Sequence, residues 1–353
     1  WTREKSGIEA LNNANILTPE LLFSGQLDNG APALIFEFLD DAQTVLDKWN
    51  NLSAPKEKSV LLHQLIEVIA ALHNNGLVQE DLHLENFLLT GQKIFAIDGD
   101  AVSSRGSGKP LTLDSSSLNL ALLFAQLFPK DDFLLDDAIL YYAKERSMDN
   151  KQLLDKLKLD LPQVRRRRRF KYVNKSYRTC SEFVRSHDNG QVSISRRDAQ
   201  GDVMNRLLVD PDKFMRDGEL LKAGNTCTVV RIKTDDCDWV IKRYNIKNSL
   251  HALSRCFRPT RAWTSWGNAH RLKISGIATP KAVAVIEKRF GPLRSTGYYV
   301  CNFQEGPLLS TFFEPEDTKD PIYEEVSQVL SCCLSCLKSS ESTTEIARQQ
   351  TFS

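Results

Sequence analysis

Gln79-Glu80-Asp81-Leu82-His83-Leu84-Glu85-Asn86-Phe87, followed by Ile97-Asp98-Gly99-Asp100, is the stretch on which the reading of this chain turns. Asn86 stands five residues after Asp81, and Asp98 twelve after Asn86. Upstream, Val60, Leu61, Leu65, Val68, Ile69 and Leu72 recur at helical spacing and predict a buried helix over 57–74. Residues 93–97 read as a strand with Asp98 at its end. Phosphoryl transfer needs a carboxylate that orients or deprotonates a hydroxyl, and oxygen ligands that hold magnesium against phosphate. D-x-x-x-x-N alone is a weak signal. The buried helix before it and the strand-end aspartate after it make it more specific, against a chance grouping of polar loop residues.

Working outward, Ile8, Leu11 and Ala14 mark a helix that Thr18-Pro19 stops. A strand hairpin is expected next, residues 21–26 and 33–39, around Asp28-Asn29-Gly30, where the Asn-Gly pair tolerates positive φ. Ile16-Leu17-Thr18-Pro19 recurs 261 positions later as Ile277-Ala278-Thr279-Pro280, again closing a helix (261–274) and opening a strand pair (282–288 and 296–303). The second hairpin is about four residues longer. Before this second copy the pattern predicts strands at 183–187 and 191–195, a helix near 198–216, and strands at 219–223, 226–232 and 239–244. Lys242 lies in the last of these, among apolar residues. Burying its stem costs free energy unless an anion meets the ammonium, and the alternative is a lysine snorkelling from a strand edge.

The chain has 353 residues, 41% hydrophobic and 26% charged, enough for about two soluble domains of mixed helices and strands. Lys+Arg 46 against Asp+Glu 45 removes any global electrostatic case for nucleic-acid binding. No apolar run approaches the ~20 residues of a membrane span, and the sequence shows no secretory signal. All eight cysteines follow residue 179, a distribution that argues for a reducing compartment. Cys332, Cys333 and Cys336 lack the fourth ligand of a structural zinc site. Five arginines, Arg165, Arg166, Arg167, Arg168 and Arg169, form the one strongly basic run. It reads either as a solvated inter-domain helix or as a patch for anionic lipid headgroups or phosphorylated glycolipid.

On the Asp81, Asn86 and Asp98 spacing, the sequence resembles the protein-kinase-like superfamily, and most closely the bacterial lipopolysaccharide core (heptose/Kdo) kinases. The resemblance implies an α+β, protein-kinase-like fold in two incomplete tandem units. Residues 1–162 would be a first kinase-like domain without its N-terminal strands, 163–182 a basic helical linker, and 183–330 the N-lobe of a second. It further implies that Asp81 is the catalytic-loop aspartate, Asn86 and Asp98 the magnesium ligands, and Glu4 the helix glutamate that pairs the ATP-holding lysine. Residues 36–39, with Glu37 and Phe38, would face adenine. Leu221 to Val229 resembles a phosphate-covering loop with Gly224 at its turn, and Val240-Ile241-Lys242 the third strand with its phosphate-binding lysine. ATP, Mg2+ and a sugar or glycolipid acceptor follow, at the cytoplasmic face of a Gram-negative inner membrane, with no nucleic acid. A pseudokinase that binds nucleotide without transfer, or a small-molecule or protein kinase, is the rival reading.

Two departures stand out. Gln79-Glu80 replaces the His-Gly or His-Arg usual before the catalytic aspartate, and Ser265 occupies the repeat position of Glu4. His83 is expected to pack or orient the loop, and Asp100 to serve the turn or act as an extra ligand. The repeat also predicts a second catalytic aspartate near position 346, where the polar segment 341–352 has none. One permitted coding of that segment, read from its third base, gives I-N-H-G-D-S-K-A-T-N-F. A frameshift after about Val329 is therefore expected, with 331–353 out of frame; the alternative is a genuine disordered tail.

Overall fold

A computed structural model describes residues 1–105, 108–188, 190–245, 258–291 and 293–306. The expectations for 331–353, including Cys332, Cys333 and Cys336, fall outside these residues. The chain divides into two compact units, Trp1–Arg166 and Arg167–Ser353.

The first unit opens with α1 (Thr2–Asn13) and the hairpin β1 (Leu21–Gln26) and β2 (Pro32–Phe36). There follow β3 (Gln43–Thr44), α2 (Val45–Asn51), α3 (Pro55–Asn74), β4 (Leu77–Gln79), β5 (Phe87–Thr90), β6 (Lys93–Ala96), β7 (Val102–Ser104), α4 (Leu113–Phe124) and α5 (Leu135–Glu145). The helix α6 (Asn150–Lys175) crosses the division between units. Its sequence-level limits have physical causes. Pro55 starts α3 where its missing N–H costs nothing, and the Thr44 and Thr112 side chains cap α2 and α4. In α3, Leu61, Leu65, Ile69 and Leu72 are buried as the periodicity requires, whereas Val60 is 54% exposed. α3 is the axis of one apolar cluster that also takes in Ile8, Leu11, Phe87, Leu120, Ile139 and Leu157.

The second unit is a seven-stranded antiparallel sheet in the order β10-β11-β12-β14-β13-β9-β8. Its strands are β8 (Phe183–Asp188), β9 (Gln191–Arg196), β10 (Glu219–Lys222), β11 (Cys227–Lys233), β12 (Asp238–Tyr244), β13 (Ala282–Phe290) and β14 (Leu293–Asn302). The expected helix near 198–216 is two, α7 (Asp202–Val209) and α8 (Pro211–Asp217), because Asp210 leaves the helical region ahead of Pro211 and caps α8. These two cover one face of the sheet with Met204 and Leu207 against Ile241 and Val300. α9 (Arg261–Ile274) covers the other with Ala262, Trp266 and Ala269 against Val240 and Tyr299. Buried Glu287 on β13 accepts from the Thr260 N–H and hydroxyl, fixing the start of α9 to the sheet.

The repeated segment has the same geometry in both places. α1 ends with Asn15 at φ 55 and α9 with Gly276 at φ 73, and a 3.0 Å bond from Ile16 N–H to Leu11 O is matched by one from Ile277 N–H to Leu272 O. Both are left-handed C-terminal caps. β1 and β2 pair as Leu21↔Phe36, Phe23↔Ile35, Ser24↔Leu34, Gly25↔Ala33 and Gln26↔Pro32. β13 and β14 pair as Ala282↔Cys301, Ala284↔Val300, Val285↔Tyr299, Ile286↔Tyr298 and Glu287↔Gly297. The two registers coincide pair for pair, with the irregularity after the first pair in each. At the strand ends, Glu37 N–H donates to Glu20 O and Asn302 N–H to Lys281 O, both at 2.9 Å.

Candidate functional site

Backbone pairing assembles the site of the first unit. β4 pairs with β7, and Glu80 N–H donates to Ala101 O, so Asp81 emerges at the end of a held strand. A single turn of tight helix (Leu84–Asn86) leads into β5, whose hairpin with β6 returns the chain until Ile97 N–H reaches Asn86 O at 2.9 Å. The β5–β6 hairpin therefore removes the twelve-residue gap between Asn86 and Asp98. Asn86 Nδ2 donates to Asp81 O at 2.8 Å and to Asp98 Oδ2 at 3.4 Å, so one amide touches both sequence-predicted aspartates. His83, expected to orient the loop, has Nε2 2.8 Å from Asp81 Oδ1. The Asp81 side chain is 60% exposed.

Asp98 takes a left-handed conformation, φ 63 and ψ 67, which costs about 1–2 kcal/mol for a non-glycine residue. Its surroundings hold it there. Buried Gln79 donates through Nε2 to Ile97 O and Asp98 O, so the residue two before Asp81 grips the Asp98 turn. Asn119 on α4 donates to Gln79 O and meets His73 Nε2, and His73 Nδ1 meets the Tyr142 hydroxyl at 2.6 Å. Arg146 donates to that hydroxyl and to Leu111 O. Burial pushes the His73 pKa down to about 4, so the imidazole of this chain is neutral near pH 7. Nothing in the local sequence marks Asn119 or Tyr142, which lie 46 and 69 residues from His73.

On the other side α1 sits directly on the Asp98 turn. A Cβ at Gly7 would lie 1.9 Å from Gly99 O, and one at Gly99 would lie 2.6 Å from Glu4 O, so only glycines allow this approach. Glu4 accepts from Gly99 N–H at 3.0 Å and Asp100 N–H at 2.8 Å. Its carboxylate is thus occupied by the turn backbone and meets no lysine among the described residues. Asp100 is a turn residue tied to Arg3, whose Nη2 donates to Asp100 O. Burial, and then the Glu4, Asp100 and Asp81 carboxylates, push the Asp98 carboxyl above its ordinary value. A bound cation would relieve that repulsion. Asn86 and Asp98 supply the one or two oxygen donors through which magnesium is held when phosphate and water complete its shell, so these residues fit magnesium. Among the described residues no three acidic, His or Cys side chains form a metal cage. The segment 36–39 is anchored by Glu37, whose Oε1 accepts from Glu20 N–H, and Phe38 is 87% exposed.

In the second unit Lys242 lies on β12, the third strand of the β10–β11–β12 meander, opposite Val229 and Tyr299. It shares the α9 face with Val240 and Tyr244. Among the described residues no carboxylate meets its ammonium. Burial pushes the Cys227 thiol up, and the Lys242 charge pulls it partly back. Gly224 in that turn is clamped by Asn245, which donates to Gly224 O and Thr228 Oγ1 at 3.1 Å. Ser265, at the repeat position of Glu4, bonds Tyr244 at 2.8 Å.

The basic run is smaller than its sequence. Arg165 is spent on Asp132 at 2.5 and 2.7 Å and on Phe124 O, and Arg168 and Arg169 also have partners. Arg166 and Arg167 are exposed. Cys180, Cys227, Cys237 and Cys301 are free thiols. No helix among the described residues is long and apolar enough to cross a membrane.

No family model matches the chain, and no curated protein does. Among solved structures it is similar to WaaP in complex with acyl carrier protein, at 16% identity and a TM-score of 0.34, over 46% of this chain and 75% of that one. That likeness is too distant to define the fold, which rests on the geometry above.

Proposed function

We propose that the protein is an ATP-dependent phosphotransferase with an alcohol acceptor, built from two incomplete tandem kinase-like units. The observation that carries this reading is the Asn86 amide bridging Asp81 and Asp98, with Asp98 held in a left-handed turn between Gln79 and α1. Asp81, exposed and oriented by His83, accepts the acceptor hydroxyl's proton. Asn86 and Asp98 would hold magnesium, which would supply charge neutralisation at the transferred phosphoryl group. Gln79 and Glu4 keep the Asp98 turn in place. The matched caps, registers and irregularities of the two hairpins support the tandem reading, and Lys242, which meets no carboxylate among the described residues, suits a phosphate. A sugar hydroxyl of the lipopolysaccharide inner core as acceptor, and a cytoplasmic, membrane-peripheral location, rest on the motif resemblance. Arg166 and Arg167 are the arginines left to meet anionic headgroups.

A second reading has its own observation. Ser265 gives Lys242 no carboxylate on α9, so the second unit binds nucleotide without transferring phosphate. The test is full-length protein with labelled ATP, offered lipopolysaccharide core sugar or a protein acceptor. Asp81→Asn should lower turnover at least a hundredfold while leaving the unfolding midpoint unchanged. Unchanged turnover removes Asp81 from the mechanism, and nucleotide binding without any turnover establishes the second reading.

A further inference from the structure

Away from the two catalytic candidates, one lysine of the second unit has the surroundings of a nucleophile. Lys273 stands in the last turn of α9, and its Nζ donates to the Tyr172 hydroxyl oxygen at 3.0 Å. That hydroxyl in turn donates to Glu182 Oε2 at 3.2 Å, and Lys175 Nζ holds the other carboxylate oxygen at 3.1 Å. Lys273 Nζ is itself 3.9 Å from Glu182 Oε2, beyond direct hydrogen-bond reach, so the phenol links amine to carboxylate. The Lys273 side chain is 52% exposed, which leaves the amine accessible to a small reagent. Arg196 on β9 and Lys281 just before β13 add their charges, and both are bound to Asp198. Lys175, Arg196, Lys273 and Lys281 therefore outnumber Glu182 and Asp198. His270, one turn earlier on α9, is buried and neutral, because burial and then the Lys273 charge push its pKa down to about 3. Burial, and then the Arg196 guanidinium, hold the Lys273 ammonium below its ordinary value against the pull of Glu182 and Asp198. An amine held in this way is the usual form of a nucleophilic lysine.

We propose that Lys273 is a preferred site of acylation by an acyl phosphate, with Tyr172 and Glu182 as its proton relay. The ammonium first passes a proton through the Tyr172 hydroxyl to Glu182 and on to water. The amine nitrogen then attacks the carbonyl carbon of the donor. A C–N bond forms, the C–O bond to phosphate breaks, and the second proton leaves with the phosphate as hydrogen phosphate. The surplus of cations favours a dianionic donor over an uncharged one. The product is a neutral amide that Glu182 no longer attracts, so acylation loosens the tie between α9 and Tyr172 of α6. The inference rests on this cluster and not on phosphate transfer at Asp81, so either can fail without the other.

The experiment is trace labelling of the 353-residue chain with acetyl phosphate at neutral pH, each lysine peptide being quantified by mass spectrometry. Lys273 should acetylate at least about fivefold faster than the exposed Lys93 and Lys151. Tyr172→Phe keeps the ring and removes the hydroxyl, and should bring Lys273 down to the Lys93 rate while Lys93 itself is unchanged. Acetic anhydride, an uncharged donor, should show a smaller preference for Lys273. A Lys273 rate equal to that of Lys93 in the parent overturns the proposal. A fast rate that survives Tyr172→Phe overturns the relay, and an equal preference with acetic anhydride overturns the acyl phosphate as the donor class.

Discussion

Replacing Gly7 by alanine separates helix propensity from tertiary packing. In an exposed helix interior Gly→Ala stabilises by about 1 kcal/mol. In α1 the added Cβ would lie 1.9 Å from Gly99 O and 2.5 Å from its carbonyl carbon. The helix must withdraw by about 1.5 Å to restore an ordinary contact, and overpacking of this kind costs about 1–3 kcal/mol. Withdrawal also stretches the bonds from Gly99 and Asp100 N–H to Glu4, each worth about 1.5–3 kcal/mol when the acceptor is charged. These bonds are partly exposed, so the lower figure applies. The net expectation is a loss of about 2–4 kcal/mol, opposite in sign to propensity. The assay is urea unfolding, with hydrogen exchange of residues 2–13 as the local readout. Ser6→Ala, on the exposed side of the same helix, is the control and should not destabilise. A Gly7→Ala protein as stable as the parent, with unchanged exchange in α1, would refute the docking of α1 on the Asp98 turn.

His73 makes the first unit acid-sensitive. Its folded pKa of about 4 lies below the unfolded 6.5, so the unfolded chain binds more protons and stability falls as pH drops from about 6.5 toward 4. The full loss is about 3 kcal/mol; if His73→Gln leaves the acid limb of the stability profile of α3 as steep, another group governs it. Asp98→Asn should raise the unfolding temperature at pH 7, because the folded state disfavours the carboxylate that burial and three neighbouring carboxyls oppose. The gain should fade as pH falls toward the unfolded value near 3.8, where both states are protonated. Magnesium should raise the parent's unfolding temperature and not the variant's, and equal shifts would remove Asp98 from the metal site. Glu80→Gln should lower stability near neutral pH by about 1 kcal/mol or less, since the Arg105 and Ser103 bonds that depress its carboxyl are largely exposed. A double-mutant cycle with Arg105→Ala measures this coupling, and a value near zero would assign the bond no role in holding β4.

Much of the architecture was legible because it is local. Helix ends were signalled by Thr-Pro, and the hairpin by Asn29-Gly30, whose glycine adopts φ 78; the start of α3 at Pro55, two residues before the expected 57, was not. The repeat at an offset of 261 predicted a shared helix end and strand pair, and the caps and registers agree residue by residue. The spacing Asp81, Asn86, Asp98 identified three residues that the structure brings together. Periodicity misplaced Val60, because it marks a helical stripe without showing how far the neighbouring elements reach around it.

By itself, then, the sequence marked where several helices stop, which segments form hairpins, and which polar residues carry the Asp81, Asn86 and Asp98 spacing, but not that residues 202–217 form two helices. These depend on φ, ψ and spacing within a few residues. Only the tertiary structure decided which partner each polar group takes. Glu4 binds the amides of a turn 95 residues away. Ser265 binds Tyr244, Arg165 leaves the basic run for Asp132, and Asn119 joins His73 to Gln79. Such pairings have no periodic signature: a buried polar group is satisfied by whatever the packed chain brings within about 3 Å of it, and long-range packing alone sets that neighbour.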